Sequence, residues 1–156
     1  MKDLNTEKRF FPLVNSLGLK FSSWNHVYDL LLKLAEAVRI SGFESDIIVG
    51  VSRGGWVPSR VISDLLMTPT LATVTVEFYV GVAETKQSPS ITQDVSVSVK
   101  GKRVLVVDDL TDSGKSLKCV NTHLKNKGAS EIRFATIYHK PWSVIVPNYS
   151  GKKTSC

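Results

Sequence analysis

Cysteine is scarce in this sequence, whose 156 residues include only Cys119, inside a helical pattern, and Cys156, at the last position. Two cysteines so placed form no disulfide framework and no metal-ligand spacing, and a reducing, cytoplasmic setting is the expectation. Histidine is equally sparse: His26, His123 and His139 share no ligand spacing, so surface or helper roles are expected of them. No apolar run approaches the roughly 20 residues that a bilayer crossing needs. The first residues, MKDLNTEKRFFPLVNSLG, break short apolar runs with charges, which a signal peptide does not do. A soluble protein without a membrane partner is expected. No G-x-G-x-x-G follows any strand pattern, which removes the dinucleotide-binding fingerprint.

Acidic residues are outnumbered, 14 against 20 basic, for a net charge of +6 and a pI near 9.4. Such a balance suits an anionic partner. The basic side chains are dispersed and their longest cluster is Lys152-Lys153, so nucleic acid is not the expected partner and a phosphorylated small molecule fits better.

With 42% apolar residues, the chain suits a single domain over 1-156 with a sizeable core. Residues 1-22 show no period and read as an N-terminal arm. From Ser23, Trp24, Val27, Leu30, Leu31, Leu34, Ala35 and Val38 recur at helical spacing, with Ser22 or Ser23 to cap the start and Ser41-Gly42 to end the helix. Asp46 to Val51 is a β-branched apolar run too short for a helix and reads as a strand buried on both faces. Ser52-Arg53-Gly54-Gly55 then leads into a helix with Pro58 in its first turn. Leu71 to Val80 reads as a strand, residues 81-93 as a flexible lid loop, and Asp94 to Val99 as a half-exposed strand with Val95, Val97 and Val99 on one face. Arg103 to Val107 is the next buried strand; a helix follows through Leu117, Val120 and Leu124 to about Gly128; Ile132 to Tyr138 is another strand. Strands alternating with helices predict an α/β fold, an open, mostly parallel sheet flanked by helices. Ligands of such sheets bind beyond the carboxyl ends of the strands.

The chemistry gathers at that rim. Asp108 and Asp109 end a buried strand, and two adjacent carboxylates resist joint ionisation unless a cation or hydroxyl donors offset their charge. Vicinal sugar hydroxyls and Mg²⁺ are suitable partners. Leu110, Thr111, Asp112, Ser113, Gly114, Lys115 and Ser116 follow, supplying backbone N-H groups, hydroxyls at Thr111, Ser113 and Ser116, and the start of a helix, which together make an anion cup. Gly114-Lys115-Ser116 imitates the end of a P-loop, but the first glycine of that motif would fall on Asp109. The wrap around a β-phosphate is therefore missing, while a single-phosphate cup survives. Ser52, Arg53, Gly54 and Gly55 offer a fixed cation and close-lying amides to a second anion.

VLVVDDLTDSGKS resembles the phosphoribosyl pyrophosphate (PRPP) motif of type I phosphoribosyltransferases, and IIVGVSRGGWVPSRVISDLL resembles their pyrophosphate loop and following helix. The likeness runs from about Ser23 to Pro147, and YHKPW is most similar to the xanthine-guanine and archaeal 6-oxopurine members. This resemblance implies transfer of phosphoribosyl from PRPP to guanine, hypoxanthine or xanthine, releasing pyrophosphate and giving a nucleoside monophosphate in purine salvage. It also implies Mg²⁺ as cofactor and a homodimer or higher homo-oligomer. By the same likeness Asp108 and Asp109 would hold the ribose hydroxyls and Mg²⁺, Thr111 through Ser116 the 5′-phosphate, and Arg53, Gly54 and Gly55 the pyrophosphate, with a cis peptide before Arg53. Asp112 would accept or relay the proton lost from the purine N7, cap the following helix, or do both. Lys140 would donate to O6, and Trp142 would stack on the base or anchor the chain.

Family members continue beyond the KPW region with a strand and loop that close on the purine. Here residues 139-156 read as a shortened hood segment, leaving Trp142, Tyr149 or the N-terminal arm to complete the pocket. A second reading follows from it, a non-catalytic PRPP- or nucleotide-binding regulator of the same fold. The charge leaves an RNA-binding regulator as a third.

Overall fold

A computed structural model of the chain describes residues 22-79 and 88-154. Its elements, in chain order, are α1 (Trp24–Ile40), β1 (Ile47–Ser52), α2 (Trp56–Leu66), β2 (Leu71–Tyr79), β3 (Ser88–Gln93), β4 (Arg103–Thr111), α3 (Lys115–Asn126), β5 (Glu131–His139) and β6 (Tyr149–Lys153). Six strands form one sheet in the order β3-β2-β1-β4-β5-β6. Every neighbouring pair is parallel except β2 with β3. The expected α/β architecture is therefore present.

The sheet separates two cores, and the alternation along each strand assigns side chains to them. On one face Leu30, Leu31, Leu34 and Val38 of α1 and Ile62 of α2 meet Ile48, Leu105, Val107, Ala135 and Ile137. On the other, Leu117, Val120 and Leu124 of α3 meet Val49, Val74, Val104, Val106 and Phe134. Central strands covered on both sides have no polar alternate positions, which is why β1 and the start of β4 read as unbroken apolar runs. Truncating Leu105, fully buried at the sheet centre, to Ala removes about 2 to 5 kcal/mol of stability. No helix among the described residues is long and apolar enough to cross a membrane.

Two assignments are corrected. Asp94 to Val99 forms no strand; the antiparallel partner of β2 is Ser88–Gln93, which lies inside the segment 81-93 read as a loop. Val95 and Val99 are nonetheless buried and Val97 partly so, against the α3 core. Their alternation thus records packing, with no ladder behind it. Asp94 fastens this segment to α3 by accepting from His123 Nε2 at 2.7 Å and pairing with Lys127 Nζ at 2.6 Å. The loop expectation also falls in part on residues 81-87, and the arm expectation on residues 1-21, outside the described residues.

Residues 139-154 close the sheet's other edge. His139 ends β5, 140-148 cross the rim, and β6, which has no hydrophobic signature, pairs with β5. Tyr149 anchors β6: it is buried, and its hydroxyl takes a hydrogen bond from Arg133 Nη1 and shares another with Ser41 Oγ, both at 2.7 Å. Those bonds commit it to the α1 face, so Tyr149 does not complete a base pocket.

Candidate active site

The centre of the rim is the end of β4, which runs past Val107 to include both carboxylates. Asp108 is buried, 8% exposed, and its Oδ1 accepts the Asp109 N-H at 2.9 Å. Burial first, and then the neighbouring Asp109 charge, push the Asp108 carboxyl well above the ordinary Asp range. Asp109 is exposed, and its Oδ1 accepts the Leu110 N-H at 2.7 Å. Beyond them the chain turns through Ser113 into α3, with Gly114 at φ 76° as N-cap and no side chain capping the helix.

That last feature distinguishes the rim helices. Ser23 caps α1 by accepting from the His26 N-H, whereas α2 begins at Gly55 and α3 at Gly114, neither with a side-chain cap. Trp56 N donates to Arg53 O at 3.2 Å, Lys115 N to Ser113 Oγ at 3.4 Å, and Pro58 has no N-H, so the Val57 N-H of α2 and the Ser116 and Leu117 N-H groups of α3 are left for an external acceptor, reinforced by the positive end of each helix dipole. Two anion-seeking termini flank one pair of carboxylates. Phe78, Asp108, Leu110, Asp112, Ser113 and Ser116 line a cleft of about 180 Å³ in front of α3. Larger hollows of about 530 and 700 Å³ occur along α1 and beneath the opposite end of the sheet. Neither contains the strand-end carboxylates, nor does a hollow of about 460 Å³ between β3 and α3 whose lining includes Lys115, so the smaller cleft is the chemically equipped one.

The second loop abuts the first. The Ser52–Arg53 peptide bond is cis. Arg53 and Gly54 are exposed, and Gly55 is wedged so tightly that a Cβ there would strike Val107 O and lie 2.7 Å from both Val51 N and Val51 O. A Cβ on Gly54 would collide with the Asp109 carboxylate. The two glycines thus let this loop close against the carboxylate pair. Arg53 has no ion-pair partner among the described residues. The Ser52 hydroxyl is engaged by Trp56 Nε1 at 2.5 Å.

A third loop, 140-148, which follows β5, locks onto the turn between β4 and α3. Lys140 N donates to Thr111 O at 2.9 Å and Val144 N to Ser113 O at 3.0 Å. Gly114 gives this loop room, since a Cβ there would meet Ser143 Oγ and come within 2.8 Å of Ile145 N. Trp142 Nε1 donates to Asp112 Oδ1 at 3.0 Å. Lys140 Nζ lies 3.4 Å from the same oxygen and 5.1 Å from the centre of the Trp142 ring.

The structure thus draws together Asp108 through Ser116, Gly54 and Gly55, and Lys140 with Trp142 around Asp112. Three details depart from the sequence reading. Asp112 is not the cap of α3, a place held by Gly114. The Thr111 hydroxyl is buried and without a partner among the described residues, so the exposed hydroxyl expected of it in the cup is absent. His139 is buried too, with both ring nitrogens unpartnered among the described residues, so no surface role applies. Phe78 was missed, although an aromatic near the carboxyl end of a parallel strand is a usable signal.

The phosphoribosyl transferase domain model matches residues 22–155. The chain belongs to the phosphoribosyl transferase domain family. Curated relatives include the xanthine-guanine phosphoribosyltransferase of Cereibacter sphaeroides, 36% identical over 60% of this chain and 53% of that protein. A second, named xanthine-guanine phosphoribosyltransferase in Idiomarina loihiensis, is 31% identical over 78% of this chain and 71% of that protein. The match thus spans 53% to 71% of these relatives' length. Among solved structures, the purine phosphoribosyltransferase of Pyrococcus horikoshii superposes with a TM-score of 0.77 at 36% identity, covering 86% of this chain and 87% of that one. This family's fold is the one described above, with the rim at its centre.

Proposed function

We propose that this phosphoribosyl transferase domain moves the 5-phosphoribosyl group of PRPP to N9 of a 6-oxopurine (guanine, hypoxanthine or xanthine) and releases pyrophosphate. The observation that carries the reading is the pair of uncapped helix termini on either side of the Asp108-Asp109 couple. A donor with a phosphate at one end, a diol in the middle and a pyrophosphate at the other matches that order of charges. The α3 terminus and its turn take the 5′-phosphate, and the Arg53 loop takes the pyrophosphate.

In the reaction the purine N9 bonds to the ribose C1′ as the bond from C1′ to the pyrophosphate oxygen breaks, the electron pair leaving with pyrophosphate. Positive charge developing on the ribose is offset by the carboxylates beneath it. The N7 proton of the base passes to Asp112, and Lys140 donates to the exocyclic oxygen, a position where adenine presents a donor of its own. Phosphate contacts at the cup fix the sugar for this exchange.

Asp108 and Asp109 also suit Mg²⁺. Both are hard oxygen donors, and the raised Asp108 carboxyl marks a place that resists a bare negative charge until a cation offsets it. No cluster of three or more His, Cys, Asp or Glu side chains occurs among the described residues, so the ligand's own oxygens would complete the coordination. When bound, the ion neutralises charge on the leaving group.

The test is nucleotide formation from PRPP, Mg²⁺ and each purine in turn. Product with at least one 6-oxopurine and little with adenine is expected. Calorimetric PRPP binding with no product from any base would replace this reading with the regulator of the same fold.

A further inference from the structure

We propose that Trp142 is a positioning residue for Asp112, acting through its indole N-H; this rests on the reading of Asp112 as the group that receives the purine proton. Asp112 lies in a turn with its side chain 59% exposed, and a carboxylate so placed is free to rotate unless something holds it. A proton acceptor has to be held in one orientation. Here one oxygen, Oδ1, receives both Trp142 Nε1 at 3.0 Å and Lys140 Nζ at 3.4 Å. With Oδ1 pinned, Oδ2 is presented to the base.

The indole is itself held. Backbone bonds from Lys140 N to Thr111 O and from Val144 N to Ser113 O lie on either side of Trp142 along the chain. They fasten its loop to the same turn that carries Asp112. Close approach at Gly114 makes that fastening possible. The Lys140 ammonium, 5.1 Å above the indole ring, adds a cation-π attraction. When a 6-oxopurine enters, Lys140 turns to the exocyclic oxygen and leaves Oδ1. Among the described residues Trp142 is then its only remaining holder, so the pinning task is the tryptophan's.

Stacking on the base, the ordinary use of a half-exposed aromatic, needs the ring, whereas pinning needs the N-H. Trp142→Phe separates them, because it keeps an aromatic face and deletes the donor. Turnover of a 6-oxopurine should fall about tenfold, as on loss of a hydrogen bond to a charged group, while KM for PRPP stays unchanged. In an Asp112→Asn background the same substitution should lower turnover no further, the signature of a residue acting through another.

Turnover within twofold of wild type in Trp142→Phe would overturn the proposal, as would equal losses in both backgrounds. A readout independent of catalysis is the indole N-H proton resonance of Trp142, one of three in the chain, assigned by its disappearance in Trp142→Phe. It should move in Asp112→Ala, and a resonance that stays put refutes the contact. Should wild type form no nucleotide with any base, the proposed function fails, and the resonance still decides whether Trp142 holds Asp112.

Discussion

Asp108→Asn isolates the cost of placing a carboxylate where Asp108 lies. The side chain is 8% exposed, and Asp109 follows it directly in sequence. Burial first, and then that like charge, raise its pKa well above the ordinary 3.8. In the window between the unfolded value and the raised folded value, the native state holds a proton that the unfolded chain has released. Stability therefore falls as pH rises through that window, by about 1.4 kcal/mol per pH unit at the limiting slope. For a domain of this size the loss is about 3 to 5 °C of melting temperature per pH unit. Asparagine is nearly isosteric, keeps an acceptor for the Asp109 N-H, and has no such slope. Thermal melts of both proteins from pH 4 to 7, in buffer free of phosphate and divalent cations, should nearly coincide at the acid end and diverge as pH rises, with Asp108→Asn the more stable. Added Mg²⁺ and PRPP should raise the wild-type melting temperature and leave that of the variant almost unmoved. Parallel curves, or a variant that melts lower at pH 7, would refute the claim that the site stores an uncompensated charge.

Lys140→Met should cut kcat/KM for guanine about 10- to 100-fold, the effect of losing a hydrogen bond from a charged donor, and leave any residual adenine activity unchanged; steady-state kinetics with the two bases decides. Gly55→Ala should destabilise the fold by about 1 to 3 kcal/mol, since the added methyl meets only backbone of β1 and β4, as measured by urea unfolding. Asp46 is lowered to about 2, chiefly by its hydrogen bonds from the Arg103 side chain and backbone. Its stabilising contribution is thus complete above pH 3.8 and disappears as pH falls through about 2. Asp46→Asn should be less stable than wild type at pH 5 and approach it near pH 2, by denaturant unfolding.

What was legible in the sequence follows from how many constraints each segment carries. β1 from Ile47 to Val51 and β4 from Val104 to Val107 are covered on both faces, so no polar side chain interrupts them, and the rim chemistry stands out where the second run stops at Asp108. The edge strands carry fewer constraints. SPSITQ in β3 is mostly half-exposed, and Pro89, lacking an N-H, is tolerated there because an edge strand has a side without partners. YSGKK in β6 is held by a single buried tyrosine whose partners, Ser41 and Arg133, come from distant parts of the chain. Neither strand repeats apolar residues often enough to be seen. Conversely Val95, Val97 and Val99 repeat like a strand because one side faces the α3 core, and burial periodicity does not report which backbone supplies the hydrogen bonds.

The two halves of the site differ in the same respect. In the proposed function, phosphate and pyrophosphate groups would be met largely by backbone amides at helix starts, and the glycines and small polar residues that permit this are contiguous in sequence, so SRGG and LTDSGKS announce themselves. The base side depends on a side-chain meeting across 30 residues, between Asp112 and Trp142. No spacing rule predicts such a contact, because it requires β5 to run parallel to β4 and its following loop to bend back over α3. Thr111 shows the complementary error. Its hydroxyl was counted toward the cup from composition, whereas position along β4 turns it into the protein and leaves its carbonyl to hold the Lys140 loop. Thr111→Val should therefore retain PRPP affinity within about twofold and leave stability the same or slightly higher, since it removes a buried hydroxyl with no partner among the described residues. A tenfold loss of PRPP affinity measured by calorimetry would return that hydroxyl to the phosphate site.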